Sequence, residues 1–270
     1  MNGSTVPMLA ELREPGIAVL RLNRPARANA MDLDAIALLH ERILTLSADR
    51  ALRAVILTGA GPAFCAGLDL KSVLDEEGGL RLDGAGGYEL QERFVAIVRE
   101  LRRCDKVVIA AVNGPAVGFG FALTLAADIR LASPSASFHV GAVRIGLSAG
   151  ECGISYHLPR LVGASRAFEV MLTGRPIDAT EADRIGLVSR LVSGDELEAA
   201  ALACARDVLR NSDFAIRQTK RLMWSNLDAP SLEAAIELEN RTQVLGLQTG
   251  DSALAARAFA GRKESARGKG

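Results

Sequence analysis

Apolar positions along the chain follow two rhythms. Ile17 to Leu22 alternates and is stopped by Asn23-Arg24-Pro25, whereas Arg53 to Leu57 and Val107 to Val112 are short, mostly unbroken apolar runs ended by turn residues. These segments read as strands, the last two buried on both faces. Ile129 to Ala132 and Ser137 to Val140 add strand-like fragments. Between the strands, Leu33, Ile36, Leu39, Ile43 and Leu46 recur at helical spacing behind a capping Asp32, and further helices are predicted over Glu89–Leu101 and Phe121–Ala127. From Tyr156 onward helical patterns dominate, over Arg166–Leu172, Thr180–Arg184, Asp195–Leu209, Asp213–Trp224 and Ser231–Leu247. Strands alternating with helices, then helices alone, predict an α/β core over residues 1–194 and a helical extension over 195–270. Met1 to Pro7 is expected to be a loose end. Asp75 to Gly87, glycine-rich and charged with no usable period, is expected to form a mobile flap.

Composition narrows the classes without choosing a chemistry. Among 270 residues, 49% are apolar and 24% charged, and 32 basic residues balance 32 acidic ones. That balance gives no reason to expect a nucleic-acid or membrane surface. Apolar runs are too short to span a bilayer and no basic, then apolar, leader opens the chain, so a cytoplasmic protein is expected. Cys65, Cys104, Cys152 and Cys204 lie far apart without C-x-x-C spacing, which predicts reduced thiols and no metal site.

The most informative stretch runs from Val107 to Ile129. A predicted strand closes at Asn113-Gly114-Pro115, and Gly118-Phe119-Gly120 then opens a helix. Glycines there let backbone N–H groups approach an anion at the positive end of the helix dipole. A dinucleotide fingerprint fails, because position 123 is Leu123, and the similar Gly59-x-Gly61 is followed by Phe64 where the third glycine belongs. Gly146-Leu147-Ser148-Ala149-Gly150 spells a serine-hydrolase elbow, yet the only later histidine is His157, too close for the Ser…Asp…His order of that fold. Two glycine corners remain, Ala63 to Leu70 and Gly114 to Ala122. Each can offer one backbone N–H to a single oxygen, an oxyanion hole. The same glycines also suit tight strand-to-helix turns, and the residues alone leave both readings open.

Asn23-Arg24-Pro25-x-x-x-Asn29-Ala30, Leu57-Thr58-Gly59-x-Gly61 and Phe64-Cys65-Ala66-Gly67-Leu68-Asp69-Leu70 together resemble the first half of the crotonase, or enoyl-CoA hydratase/isomerase, family. Val112-Asn113-Gly114-x-Ala116-x-Gly118-x-Gly120, Leu158-Pro159-Arg160-Leu161-Val162-Gly163, Leu172-Thr173-Gly174-Arg175 and Gly186-Leu187-Val188 are similar to its later motifs, and the likeness reaches a tail with Phe259 and Lys263. The resemblance implies an α/β fold, a crotonase-like spiral of β-β-α units with a C-terminal helical trimerisation region, in a homotrimer or dimer of trimers. It implies an acyl-CoA thioester as ligand and no separate cofactor, coenzyme A being carried by the substrate. The oxyanion donors implied are the backbone N–H groups of Leu68 and Phe119. Phe119 stands where glycine is usual, which keeps the donor but narrows the site.

Departures from the family pattern matter as much. Hydratases of the family carry one glutamate where this chain has Ala122 and another where it has Ala142, so both carboxylates expected to hold and activate water are replaced by methyl groups. General acid–base help, worth about 10²–10⁴-fold, then needs another donor. Glu151, in a corner with one residue more than usual, resembles in place an acidic residue of dienoyl-CoA isomerases and is the candidate acid/base for hydration or a 1,3-proton shuttle. The other reading of Glu151 is a helix N-terminal carboxylate stabilised by the dipole. The implied coenzyme A contacts are Arg24, Arg27, Ala66, Asp69, Gly118, Phe259 and Lys263. Asp69 also reads as a helix cap, His139 as a hydrogen-bonded strand residue, His157 as packing, and Cys65 lacks any mark of a thiolate. Two further functions stay open: a catalytically degenerate acyl-CoA-binding or assembly subunit, and another enolate reaction such as thioester hydrolysis.

Overall fold

Strand β1 (Met8–Glu14) pairs antiparallel with β2 (Ile17–Leu22), and the chain then crosses over through α1 (Leu33–Ala48) to β3 (Ala54–Gly59), parallel to β2. The computed structural model describes residues 6–77, 79 and 81–253. Helix α2 (Gly84–Arg103) leads to β4 (Val107–Val112), and β5 (Pro115–Val117) and α3 (Phe119–Ala126) follow. Next come β6 (Ile129–Ala132), β7 (Ser137–His139), α4 (Ile154–Val162), α5 (Ala164–Thr173), β8 (Ile177–Asp178), α6 (Ala179–Arg184), β9 (Arg190–Leu191) and the helices α7 (Leu197–Leu209), α8 (Asp213–Asn226) and α9 (Leu232–Leu247).

Two sheets alternate along this path. Six strands form the larger, in the order β1-β2-β3-β4-β6-β9, parallel throughout except at the β1–β2 hairpin. Its central strands β3 and β4 are buried at every position, as parallel strands covered on both faces must be. The smaller sheet, β5-β7-β8, is prolonged by single bridges between Cys65 and Ala116 and between Met31 and Leu68. Each turn of the chain therefore lays one strand in the large sheet, one short piece beside the small sheet, and then a helix. That is the spiral of β-β-α units expected from the resemblance. Phe64, Phe121 and Phe138 fill the space between the sheets and helices, with Phe121 and Phe138 rings 5.4 Å apart.

The structure moves several sequence boundaries. β1 belongs to the sheet although its middle residues, Ala10 to Arg13, are exposed. Helix α2 starts at Gly84, so the last four residues of the expected Asp75–Gly87 flap are its first turn, capped by the Asp83 carboxylate on Gly86 N at 2.7 Å. Ahead of the helix, Asp75 Oδ1 accepts from the N–H groups of Glu77 and Gly79. The chain divides into two compact units, Met1–Asp207 and Val208–Gly270, so the division falls inside α7 rather than after residue 194. The reason is local: Leu197, Ala201 and Ala205 of α7 are buried, and Arg13 and Arg21 hold Glu198 while Arg206 holds Glu14, all within the first unit. Among the described residues no helix is long and apolar enough to cross a membrane.

Candidate active site

The ends of β3 and β4 carry the two glycine corners, and a pair of asparagines ties them together. Asn29, 1% exposed, accepts from Arg24 N and donates to the carbonyls of Ala60 and Ala63. Asn113 accepts from Gly59 N and donates to Gly61 and Ala63. Their amides satisfy loop carbonyls that no strand partner reaches. Cys65 and Phe64 then donate to Pro115 O, and Val117 N donates back to Cys65 O, so the two corners run side by side.

This pairing leaves two amides over. Met31 accepts from Asp69 N and donates to Gly67 O, gripping both neighbours of Leu68. Gly118 N is held by His139 O at 2.9 Å, and α3 begins at the next residue. Neither Leu68 N–H nor Phe119 N–H donates to an acceptor among the described residues. The corners touch here: a Cβ on Gly67 would stand 2.7 Å from Val117 O and 3.5 Å from Phe119 N. One on Gly120 would fall 2.2 Å from Cys65 O, so only glycine permits this approach. The Phe119 ring, 2% exposed, packs on Phe94 with centroids 4.3 Å apart, which couples the corner to α2.

Glu151 closes the third side. It precedes α4, and Cys152 (φ +47°) and Gly153 (φ +83°) follow it in the left-handed region, reversing the chain. The carboxylate returns toward the oxyanion corner, with Oε1 3.1 Å from where a Cβ on Gly118 would sit. It is partly buried, makes no hydrogen bond or ion pair with the described residues, and burial raises its pKa above the ordinary carboxylate value. A carboxylate without a partner beside two amides without partners can carry a proton next to a polarised carbonyl. Ala122 and Ala142, both buried, add no polar group.

Other candidates sort by what their side chains touch. Arg24 is engaged within the protein: Nη1 donates to Ala30 O, and Nη2 lies 2.5 Å from Asp32 and 3.8 Å from Asp69. It braces the loop beside the oxyanion corner, whereas Arg27 is exposed and makes no ion pair among the described residues. Asp69 stands at the cap of a 3-10 turn, Leu70–Ser72, but its carboxylate faces Arg24 and makes no cap bond, which corrects the expected side-chain cap. Ala66 N donates to Ala28 O, leaving its carbonyl without a partner among the described residues. Phe259 and Lys263 lie outside the described residues.

Ser148 is exposed in a loop, its hydroxyl accepting from Gly150 N, without the strand–turn–helix of a nucleophile elbow. Burial pushes the Cys65 thiol up to about 12. His139 bonds Ser137 Oγ at 2.8 Å, and burial, followed by the charge of Arg144, lowers its pKa. Missed from the sequence were Met31, Phe94 and the left-handed Cys152. The first two act through backbone pairing and ring packing that no motif encodes, and the third adopts a conformation that cysteine does not announce.

Comparison with known proteins bears on this geometry. A profile described as enoyl-CoA hydratase/isomerase matches residues 13–266. The probable enoyl-CoA hydratase EchA12 of Mycobacterium tuberculosis is 47% identical over 245 residues, covering 89% of this chain and 85% of that protein. A solved structure of a probable enoyl-CoA hydratase/isomerase from Mycobacterium abscessus superposes with a TM-score of 0.87 at 41% identity, over 96% of this chain and 97% of that one. A monofunctional enoyl CoA isomerase from M. smegmatis gives 0.74 at 42% identity, over 86% and 99%.

Proposed function

The chain belongs to the enoyl-CoA hydratase/isomerase family, and from that premise we propose that it is an acyl-CoA thioester enzyme whose favoured reaction is double-bond isomerisation. The observation that carries this reading is the unpartnered Glu151 carboxylate beside Gly118, next to the free N–H groups of Leu68 and Phe119.

The thioester carbonyl of a 3-enoyl-CoA accepts from the two N–H groups. Glu151 takes a proton from C2, the double-bond electrons move from C3–C4 to C2–C3, and Glu151 returns the proton to C4. The enolate oxygen carries negative charge only in between, where the donors stabilise it most; removing such a donor typically costs ~10²–10³ in rate. One carboxyl suffices because the same proton leaves and returns. Hydration would need a second group to hold and deliver water, and Ala122 and Ala142 stand where the family's hydratases place glutamates. Arg27 is the side chain best placed to meet the substrate's phosphates, with the free Ala66 carbonyl as an acceptor for its base. The cytoplasm, where Cys65, Cys104, Cys152 and Cys204 stay reduced, is its place of action. The C-terminal helices expose Leu232, Ile236, Val244, Leu245 and Leu247, which supports self-assembly as a trimer or dimer of trimers; a monomeric mass by light scattering would count against it.

The test is turnover of 2-enoyl-, 3-enoyl- and dienoyl-CoA thioesters by the wild type and Glu151→Gln. Isomerisation by the wild type and its loss in the variant are expected. Equal turnover by both removes Glu151 from the chemistry. Tight thioester binding without turnover of any substrate favours the alternative of a binding or assembly subunit, which the loss of both glutamates motivates. Release of free coenzyme A would instead indicate thioester hydrolysis.

A further inference from the structure

The mechanism above uses Glu151 but not the device that aims it. Immediately after Glu151 the backbone turns through two consecutive left-handed residues, Cys152 and Gly153. For cysteine this conformation is strained, and it persists only where surrounding structure holds it. Three contacts do so. Ile154 N donates to Glu151 O at 2.8 Å, Cys152 Sγ donates to Gln91 Oε1 of α2 at 3.7 Å, and Gly153 O accepts twice from one residue, His157, through its backbone N at 2.9 Å and its ring Nδ1 at 2.8 Å.

The ring is itself fixed from outside. A carbonyl can only accept, so Nδ1 carries the proton, and burial with three nearby arginines keeps the imidazole neutral. Nε2 is then a bare acceptor, 3.2 Å from Arg102 Nη1 of α2. Tyr156 closes the edge of the ring at 5.0 Å, and Arg160 stacks on Tyr156. The ring also fills the room a side chain on Gly153 would need, with Nδ1 3.1 Å and Cε1 3.2 Å from a Cβ built there.

We propose that His157 is a positioning residue: as the Nδ1–H tautomer, bridging Arg102 and the Gly153 carbonyl, it locks the left-handed Cys152–Gly153 pair and so holds the Glu151 carboxylate against Gly118. The proposal rests on the assignment of Glu151 as the proton carrier. It makes α2 a frame for the site, because the same helix packs Phe94 on Phe119 and sends Gln91 to Cys152 and Arg102 to His157.

The experiment compares His157→Asn and His157→Leu. Asparagine places its amide N–H where Nδ1–H was; leucine fills the space with no donor. Misplacement of a reacting group by about 1 Å can cost ~10²-fold, so His157→Leu should lose roughly 10- to 100-fold in kcat with little change in KM, and His157→Asn should stay within about threefold of the wild type. A second reading does not need turnover. The carboxyl infrared band of Glu151, identified by difference against Glu151→Gln, should titrate above the ordinary carboxylate range in the wild type and His157→Asn, and fall back toward that range in His157→Leu. The charged or titratable neighbours of these two groups are Arg102, Arg130, Arg160, Tyr156 and Cys152. Gly153→Ala, which removes no ring but pushes its methyl against the imidazole, should reproduce the leucine result even if the histidine variants do not fold. If His157→Leu or Gly153→Ala folds and keeps wild-type kcat and the raised titration, the proposal is overturned. If Glu151→Gln remains fully active, the assignment of Glu151 fails instead, and the infrared titration still decides whether His157 holds the carboxylate.

Discussion

Gly118→Ala strikes both halves of the site through one methyl group. Gly118 has φ +52° and ψ −115°, a backbone region that residues with a Cβ avoid, at a cost of about 1–3 kcal/mol. The new methyl would also stand 3.1 Å from Glu151 Oε1, tighter than nine in ten real Cβ contacts. Two relaxations are open. Either the carboxylate swings away, or the backbone shifts and carries the next residue's N–H, that of Phe119, off the developing oxyanion. The first forfeits part of a general-base contribution of about 10²–10⁴, the second part of a donor contribution of about 10²–10³.

The expected result is a fall of roughly 10²–10³ in kcat for 3-enoyl-CoA isomerisation, about 3–4 kcal/mol of barrier, with a much smaller effect on KM because the phosphate and base contacts proposed at Arg27 and Ala66 are untouched. The assay follows the absorbance of the conjugated 2-enoyl product. Gly186→Ala is the control: Gly186 has φ +74°, but a Cβ there meets nothing within 4 Å. Both variants should lose stability, by roughly 2–4 °C in Tm per kcal/mol, and only Gly118→Ala should lose turnover. Wild-type kcat in folded Gly118→Ala, or an equal loss in Gly186→Ala, would refute the reasoning.

Other perturbations probe single parts. Since the folded Glu151 pKa is raised, the native state binds more protons than the unfolded chain between the ordinary carboxylate range and the raised value. Stability therefore falls as pH rises through that window, and Glu151→Gln should be the more stable protein at pH 7 to 8 by calorimetry, the gain vanishing once the wild-type carboxyl is protonated in both states. His157 has the opposite sign. Its pKa, lowered from 6.5 to about 4 chiefly by burial, means that stability drops as pH falls between those values, by up to about 3 kcal/mol, and a His157→Asn melting series should lack that slope. Asn29→Ala removes three side-chain hydrogen bonds and should cost about 3 kcal/mol in urea titration, at roughly 1 kcal/mol each. Arg27→Ala should raise KM for coenzyme A thioesters but not for pantetheine thioesters, while Arg24→Met should lower kcat for both; the reverse pattern would exchange their roles.

What the sequence reveals follows from how each segment is stabilised. β3 and β4 are legible because strands buried on both faces have no polar side to disguise the run. β1 is not, because Ala10 to Arg13 are exposed whichever way they face, and its place in the sheet is fixed by pairing with β2. β5, β8 and β9 are three or two residues long and owe their conformation to neighbouring strands, which no local pattern records. α4 continues through Pro159, whose residue type argues against a helix interior, and α2 begins on glycines that read as a loop. In each case tertiary partners overrode the local preference.

The same division runs through the site. A cradle made of main-chain N–H groups leaves its trace in glycines, because only glycine lets two backbones come so close, and so Gly118, Gly120 and Gly67 mark it. A proton carrier leaves no such trace: a lone glutamate looks alike whether it caps a helix or faces a ligand, and family likeness alone suggested Glu151. What distinguishes the two is the turn behind it. A glutamate serving only as a helix-end charge would need neither a left-handed cysteine nor a carbonyl held twice by one histidine, and it would sit in water, where its charge is cheapest to keep. Glu151 instead follows the strained turn into a partly buried place without a partner, against a glycine whose backbone conformation residues with a Cβ avoid. Strain and desolvation concentrated on one carboxyl are what a protein tolerates where that carboxyl has work to do.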